Sequence, residues 1–221
     1  HFQKQKINVF NISGDKVKFP FGKKPFPSQF SVMGQTLRAL HTQENALLES
    51  PTGTGKTLAL LCSSLSWQQH HMRNPPIGEK KMAPQNSSDP YTSKKVKFKK
   101  IYFTSRTHSQ LTQVVKELKR CPDYLEISGE NLPRPETIKI SILGSRQHYC
   151  VHETVSKFKG GELNENCKKL NSESICGYKK NAKTLARHIA PVWDIEDLVE
   201  TGKEVGACPY FASRDMLGSA H

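Results

Sequence analysis

The sequence predicts an α/β fold with a parallel β-sheet, followed by a smaller and mostly helical part. Short apolar runs at 46–48, 101–104 and 137–143 alternate with stretches of helical periodicity, which is the pattern of βαβ units. A glycine-rich loop separates the first run from an apolar helix, and no strand pattern follows Cys150. In such a sheet, ligand-binding side chains are expected where the strands end.

Other elements follow from periodicity. Residues 7–19 alternate loosely between apolar and polar side chains, which predicts an edge strand or hairpin. One helix is expected from about Ser28, a second from the glycine-rich loop to about His70, and a third after residue 108. The apolar faces of the first and third helices comprise Phe30, Met33, Leu37, Leu40, Leu111, Val114, Val115 and Leu118.

The glycine-rich loop has the composition of a phosphate cradle. It comprises Ser50, Pro51, Thr52, Gly53, Thr54, Gly55, Lys56 and Thr57. Backbone N–H groups and the positive helix end surround a β-phosphate in such loops, while the lysine reaches the β- and γ-oxygens and the threonine hydroxyl binds Mg²⁺. The general pattern begins with glycine, where this chain has Ser50. The loop predicts binding of ATP or GTP.

Composition favours a polyanionic partner. The 221 residues carry a formal charge of +13, and nucleic acid is the commonest partner of so basic a chain, although a basic soluble surface is the alternative. No apolar run approaches the ~18 residues of a membrane span, and there is no signal-peptide core. We therefore expect an intracellular, reducing environment, no membrane, and cysteines that are thiols or metal ligands. Because the chain starts at His1, we expect a fragment of a longer protein.

Two predicted strands end in polar, basic segments that suit the phosphates of a nucleic-acid backbone. The first runs from Thr104 through Ser105, Arg106 and Thr107 to His108, and the second contains Arg146. Helix capping by Thr104 or Ser105 is the alternative and is compatible with phosphate contact. The composition of residues 71–100 predicts a mobile basic insertion. DNA contact and nuclear import are candidate roles of its lysines, and a solvated charge run is the alternative.

Four late cysteines are separated by unusual intervals. Cys150, Cys167, Cys176 and Cys208 leave 16, 8 and 31 residues between them. Structural zinc sites usually contain a closely spaced cysteine pair, and ferredoxin spacing is absent as well. Spacing alone leaves buried thiols and metal ligands equally open.

Taken together, these motifs resemble the XPD-like iron–sulfur DNA helicases of superfamily 2. The resemblance rests on Ser50–Thr57, Thr104–His108, Gly144-Ser145-Arg146 and Ala207-Cys208-Pro209-Tyr210, and it extends over residues 16–217 except 71–100. Further segments are most similar to the Fanconi anaemia group J branch: Leu48–Gly53, Leu60–Ser63 with Trp67-Gln68-Gln69, and Trp193–Val199. The branch of telomere-elongation regulators is the close second.

The resemblance implies a RecA-like P-loop NTPase fold with an inserted iron–sulfur module. Residues 1–149 would begin motor domain 1, 150–208 would form the module, and 209–221 would return towards the motor domain. The four late cysteines would bind a [4Fe–4S] cluster, and the DNA-contact residues would be Thr104, Ser105, Arg106, Thr107, His108 and Arg146. Phe21, Phe26 and Gln29 match the segment that binds adenine.

The implied activity is ATP-dependent 5′→3′ unwinding of DNA in repair and genome maintenance, in the nucleus. Expected ligands and partners are ATP, Mg²⁺, single-stranded or forked DNA and DNA-repair proteins. No acidic Walker B box is found in these residues, so the chain alone is expected to hydrolyse almost no ATP. The rival hypotheses are a P-loop kinase or GTPase, and a zinc-binding nucleic-acid module with a nucleotide loop.

Overall fold

The computed structural model describes residues 7–20, 22–73, 99–120, 126–127 and 136–220. These residues fall into two compact units. The first unit contains the described residues up to 103 and those between 120 and 136, and the second contains 104–119 and 137–220. None of the helices in the described ranges is long and apolar enough to cross a bilayer.

The first unit begins with the predicted hairpin. Strands β1 (Asn8–Ile12) and β2 (Asp15–Phe19) pair antiparallel, with Ile12 opposite Asp15. The two residues between them, Ser13 and Gly14, have φ of 49° and 89°. Positive φ at both positions fits a two-residue turn whose twist matches that of the strands.

Two helices complete the core of the first unit. Helix α1 (Pro27–Thr42) and helix α2 (Lys56–Arg73) pack on each other, and α2 also packs on β2. Met33 and Leu37 of α1 are fully buried, and Cys62 of α2 is buried as well. Both predicted helices are confirmed. Of the apolar face predicted for α1, Met33 and Leu37 are buried, whereas Phe30 and Leu40 are only half-buried.

A buried carboxylate ties the hairpin to both helices. Asp15 is completely buried, His41 Nε2 lies 2.6 Å from its Oδ2, and His70 Nδ1 lies 2.5 Å from its Oδ1. His41 hydrogen-bonds Oδ2, whereas Oδ1 lies beside the His70 imidazole without a hydrogen bond among the described residues. The two imidazoles are thus the polar groups next to this buried carboxylate. The acidic residue at the start of β2 therefore fixes β2 to α1 and α2.

The second unit is helical in its described residues. Its α-helices are α3 (His108–Lys119), α4 (Arg146–Tyr149), α5 (Gly160–Ser172), α6 (Gly177–Lys180), α7 (Ile195–Glu204) and α8 (Pro209–Met216), with 3-10 turns at Val155–Lys157 and Ala182–Arg187. Its most buried large side chains are Tyr149, Leu163, Leu185, Trp193 and Leu198. The predicted apolar face of α3 is confirmed, because Val114, Val115 and Leu118 are buried.

Helix α7 is fixed at its first turn. Asp194 is the N-cap and accepts a hydrogen bond from the Asp197 backbone N–H, while the Asp197 side chain accepts one from Asp194 N–H. Lys119, at the end of α3, donates to Asp194 Oδ2 at 2.8 Å and to Asp197 Oδ2 at 2.5 Å. Partial burial alone would raise the pKa of Asp194, but the bonds from Lys119 and Asp197 and the lysine charge hold that pKa below its usual value.

The strands of the predicted parallel sheet are not observed as strands. Residues 46–48, 101–104 and 138–143 have irregular backbone, whereas β3 (Glu126–Ile127) and β4 (Glu136–Thr137) form a second two-stranded sheet. A strand exists only where a neighbour completes the hydrogen-bond ladder. In the described ranges these runs bond elsewhere, as when Ile140 N–H donates to the Pro191 carbonyl at 3.1 Å. Most of the basic insertion predicted at 71–100 lies outside the described residues.

Candidate functional sites

The phosphate loop leads directly into α2. Gly53 and Gly55 have φ of 78° and 75°, a left-handed conformation that glycine adopts without steric cost. Ser50 Oγ lies 2.7 Å from Thr54 Oγ1, and Thr54 Oγ1 also donates to the Pro51 carbonyl at 2.9 Å. Ser50, which stands where the pattern has glycine, therefore closes the loop with a side-chain hydrogen bond.

The lysine of the loop lies against the loop's own backbone. Lys56 Nζ donates to the carbonyl oxygen of Ser50 and, at 3.1 Å, to that of Pro51. Lys56 is the first residue of α2 and Thr57 the second, so both lie at the positive end of that helix. An ammonium, a hydroxyl and the helix N-terminus are thus placed where a phosphate cradle needs them.

The predicted adenine-binding residue Gln29 contacts the same loop. Its Oε1 accepts a hydrogen bond from Phe26 N–H at 2.9 Å, and its Nε2 donates to the Gly55 carbonyl at 3.4 Å. A Cβ on Gly55 would overlap Gln29 Nε2. Phe26 is 67% exposed, which leaves its ring accessible for stacking. Phe21 lies outside the described residues.

The segments predicted to contact DNA both lie in the second unit. Arg106 is exposed, and Thr107 Oγ1 accepts from Gln110 N–H at 3.4 Å and so caps α3. The capping hydroxyl is therefore that of Thr107, rather than that of Thr104 or Ser105. Arg146 is oriented on two sides, since its Nη1 donates to Asn164 Oδ1 at 3.3 Å and its guanidinium lies 4.2 Å from the Tyr210 ring centroid.

The basic residues among the late cysteines all face solvent. They are Lys157, Lys159, Lys168, Lys169, Lys179, Lys180, Lys183, Arg187 and Lys203, and every one is exposed. A surface of this charge attracts the phosphate backbone of nucleic acids without sequence preference. The second unit therefore combines the two polar segments with a cationic surface.

The four late cysteines lie on separate elements of the second unit. Cys150 follows α4, Cys167 lies within α5, Cys176 precedes α6 and Cys208 precedes α8. Among the described residues, no three histidine, cysteine or acidic side chains converge on one metal position. Cys176 and Cys150 nevertheless lie within electrostatic range of Cys208, since the charge of each adds to the upward shift in its pKa.

N–H groups lie near three of the four sulfur atoms. Burial raises the pKa of the Cys208 thiol to about 11, and the backbone N–H groups of Phe211 and Tyr210 oppose that shift. Burial likewise raises the pKa of Cys150, against the backbone N–H of His152. Asn171 Nδ2 lies 3.3 Å from Cys167 Sγ. Thiols of this kind lose their protons to a bound metal, and N–H groups directed at sulfur stabilise the resulting thiolates.

Two of these contacts were not anticipated from the sequence. Asn171 lies four residues after Cys167 in α5, so helical spacing is the signal that places its amide beside the sulfur. Tyr210 lies between two guanidinium groups, those of Arg146 at 4.2 Å and Arg214 at 3.5 Å. Arg214 lies four residues after Tyr210 in α8, so helical spacing indicates that contact. No sequence pattern indicates the contact with Arg146, which is far from Tyr210 along the chain.

Comparison with known proteins gives a consistent assignment. The family described as DEAD_2 matches residues 103–221. The chain is 37% identical to regulator of telomere elongation helicase 1 of Mus musculus over 95% of this chain and 18% of that protein. It is 36% identical to the homologue of that helicase in Oryza sativa subsp. japonica, over 96% of this chain and 22% of that protein.

The chain therefore belongs to the DEAD_2 family of XPD-like helicases. It spans about a fifth of the length of these two relatives. The resemblance to the XPD-like helicases is confirmed at the level of the family, whereas the preference for the Fanconi anaemia group J branch is not. Membership of this family implies a RecA-like fold.

Proposed function

We propose that this chain is the nucleotide-binding and cysteine-bearing part of motor domain 1 in an ATP-dependent 5′→3′ DNA helicase. The observation that carries the proposal is the phosphate loop. Two glycines with positive φ, Lys56 and Thr57 lie together at the N-terminus of α2, in a chain of the DEAD_2 family. That geometry is suited to the triphosphate of a nucleotide.

The residues of the loop have separate roles in this function. On nucleotide binding, Lys56 would exchange the carbonyls of Ser50 and Pro51 for phosphate oxygens. Thr57 would hold Mg²⁺, and the ion would neutralise negative charge on the phosphates. Gln29 would read the edge of adenine, and Phe26 would stack on its face, since glutamine offers both a donor and an acceptor. These roles favour ATP over GTP.

The cysteine module would bind a [4Fe–4S] cluster through Cys150, Cys167, Cys176 and Cys208. The donor type fits, since four cysteines are the usual ligands of such a cluster. The N–H groups near the sulfurs of Cys150, Cys167 and Cys208 fit as well. When bound, the cluster would link four separate elements, so it would supply much of the folding energy of residues 150–208.

The second unit would hold the translocated strand. Thr104–Thr107 and Arg146 would bind backbone phosphates, with His108 at the end of the first segment, while the exposed lysines among the cysteines would guide single-stranded DNA from a fork. Hydrolysis in the complete enzyme would then move the two motor domains along the strand. Work in DNA repair, a nuclear location and contacts with repair proteins are part of the same proposal.

The test is DNA-stimulated ATP hydrolysis and unwinding by the full-length protein, with Lys56→Ala as the matched variant. We expect hydrolysis to rise when single-stranded DNA is added, and unwinding to require a 5′ tail. Lys56→Ala should lower hydrolysis by at least about a hundredfold, as when one transition-state donor is removed, yet retain DNA binding. ATP hydrolysis that ignores DNA would instead favour a P-loop kinase or GTPase.

The metal is tested separately on protein purified without oxygen. Four irons and matching sulfide, with broad absorption near ~400 nm, are the expected result for the cluster. Stoichiometric zinc without sulfide would overturn the cluster and leave the phosphate loop as it is.

Two branches of the family are candidates for the complete protein. The telomere-elongation-regulator branch is favoured by the two relatives described above. The Fanconi anaemia group J branch is favoured by the segments Trp67-Gln68-Gln69 and Trp193–Val199. The preferred DNA substrate of the purified full-length protein separates the two branches.

A further inference from the structure

Two imidazole rings join the segments to which DNA contact is proposed. The ring centroids of His108 and His148 lie 4.0 Å apart, and their planes are inclined by 56°. His108 is the first residue of α3, directly after Thr104–Thr107, and His148 lies in α4, which begins with Arg146. All of these residues belong to the second unit. The ring contact therefore links the two polar segments across the fold.

The His108 ring packs against Gly144, which has no side chain to obstruct it. A Cβ on Gly144 would lie 3.4 Å from His108 Cε1 and 2.9 Å from Tyr149 Cε2. Tyr149 is fully buried, and its hydroxyl donates to the Ile142 carbonyl at 2.7 Å. Arg214 Nη2 donates to the Gly144 carbonyl at 3.2 Å. The backbone that the His108 ring contacts is thus fixed by two separate hydrogen bonds.

Hydrogen bonding does not explain the position of the His108 ring. Its Nδ1 is buried and has no hydrogen-bond partner in the described part of the chain. An unsatisfied ring nitrogen disfavours this placement. The contacts that favour it are the packing of the ring on His148 and on Gly144.

We propose that His108 and His148 are positioning residues whose ring contact holds Thr104–Thr107 and Arg146 in one arrangement for the phosphates of single-stranded DNA. The inference rests on the DNA contacts of the proposed function. Arg146 is already oriented by Asn164 and Tyr210. Arg106 and Thr107 directly precede His108 in the chain. The ring contact of His108 with His148 therefore also holds the backbone of these two residues in place. Donors ordered in advance lose less conformational freedom when DNA binds.

The first experiment measures the affinity of the full-length protein for a fluorescein-labelled oligothymidylate at fixed salt without nucleotide. The variants are His108→Ala, His148→Ala and the double variant. Each single change should weaken binding by roughly three- to tenfold, and the double change should weaken it no further, because contacting residues are not additive. Losses that multiply in the double variant, or no loss in either single variant, would overturn the proposal.

His148→Phe separates positioning from direct contact. Phenylalanine retains a planar ring for packing on His108 but has no nitrogen for a phosphate, so we expect affinity close to that of the wild type. A loss as large as that of His148→Ala would mean that the imidazole itself binds DNA, which contradicts positioning through the ring. In all of these histidine variants, the unfolding midpoint and the affinity for a non-hydrolysable ATP analogue should equal those of the wild type. If these fall together with DNA affinity, the pair has only a structural role.

Arg106→Ala and Arg146→Ala distinguish this inference from the proposed function. Each should weaken binding and reduce the salt dependence by about one phosphate contact. If both leave DNA affinity unchanged, the proposed DNA contacts are wrong and the positioning role is lost with them. If the arginine variants weaken binding and the histidine variants do not, only the ring pair is wrong.

Discussion

The phosphate loop of the first unit is held by bonds between close neighbours in sequence, whereas the cysteines of the second unit lie on four separate elements. Ser50, Pro51, Thr54 and Lys56 bond to one another within one short loop. Around the cysteines, the bonds cross the fold, as when Cys208 N–H donates to the Tyr178 carbonyl at 2.8 Å. A site made of neighbours forms with its loop, but a site made of distant residues needs tertiary packing, a metal or both.

Removal of the proposed cluster should reveal the largest difference between the two units. We expect the loss of iron to destabilise the second unit by on the order of 5 kcal/mol or more, as in other small metal-dependent domains. Nucleotide affinity at the phosphate loop should be unaffected, since that loop is closed by its own hydrogen bonds. Circular dichroism and binding of a fluorescent ATP analogue, before and after anaerobic chelation, check this. Equal loss of both signals would mean that the first unit depends on the cluster as well.

Two buried leucines allow a matched comparison of the packing in the two units. Leu37 and Leu198 are both 0% exposed, and Leu→Ala at such sites costs about 2–5 kcal/mol in unfolding free energy. We expect Leu37→Ala to lower nucleotide affinity and retain iron. Leu198→Ala should lower the iron content and retain nucleotide affinity. Denaturant unfolding, iron content and nucleotide binding are the measurements. Leu198→Ala with full iron content would show that the cluster holds its module without this core.

Leu47 is the exposed control for the two buried leucines. It also tests the strand that the sequence predicts at 46–48. It is 100% exposed in the structure, so Leu47→Ala in the 221-residue chain should change stability by less than about 0.5 kcal/mol. A cost as large as that of Leu37→Ala would show that residues 46–48 are buried as the predicted strand.

The sequence could predict features that depend on residues close together in the chain, but not contacts between residues far apart in it. The Ser13-Gly14 turn, the α1 face with Met33 and Leu37, and the loop up to Thr57 are local patterns of spacing and composition. The contacts of Asp194 with Lys119 and of Tyr210 with Arg146 join distant residues, so no local pattern indicates them. The same limit applies to 101–104, where apolar composition predicts a strand but does not provide a neighbouring one.

Gly55 and Gly53 provide a smaller and more specific test of the phosphate loop. Both have positive φ, but a Cβ would overlap Gln29 only at Gly55 and would meet nothing within 4 Å at Gly53. Gly53→Ala should lower ATP affinity by roughly tenfold through backbone strain of about 1–2 kcal/mol. Gly55→Ala should lower it further, because Gln29 must also leave the loop. Equal losses in a titration with an ATP analogue would mean that the Gln29 contact adds nothing to nucleotide binding.

The smallest expected effect concerns the cap of α7 and its dependence on pH. Loss of an N-cap carboxylate costs about 1 kcal/mol, and the partly exposed ion pair with Lys119 adds less than that. The folded pKa of Asp194 is held below its usual value, so its contribution is present above the unfolded pKa and is lost as pH falls through the folded pKa. The difference in unfolding free energy between wild type and Asp194→Ala should therefore disappear below about pH 4.

Asp197→Ala is the comparison variant for this prediction, because it removes the second carboxylate that Lys119 contacts but leaves Asp194 to cap α7. Its cost at neutral pH should be smaller than that of Asp194→Ala, since an exposed pair contributes little beyond the cap. Thermal unfolding of both variants between neutral pH and pH 3 is the measurement. If the cost of Asp194→Ala persists unchanged at the lowest pH, the protonated side chain still caps α7 through its hydrogen bond, and the carboxylate charge adds nothing to stability.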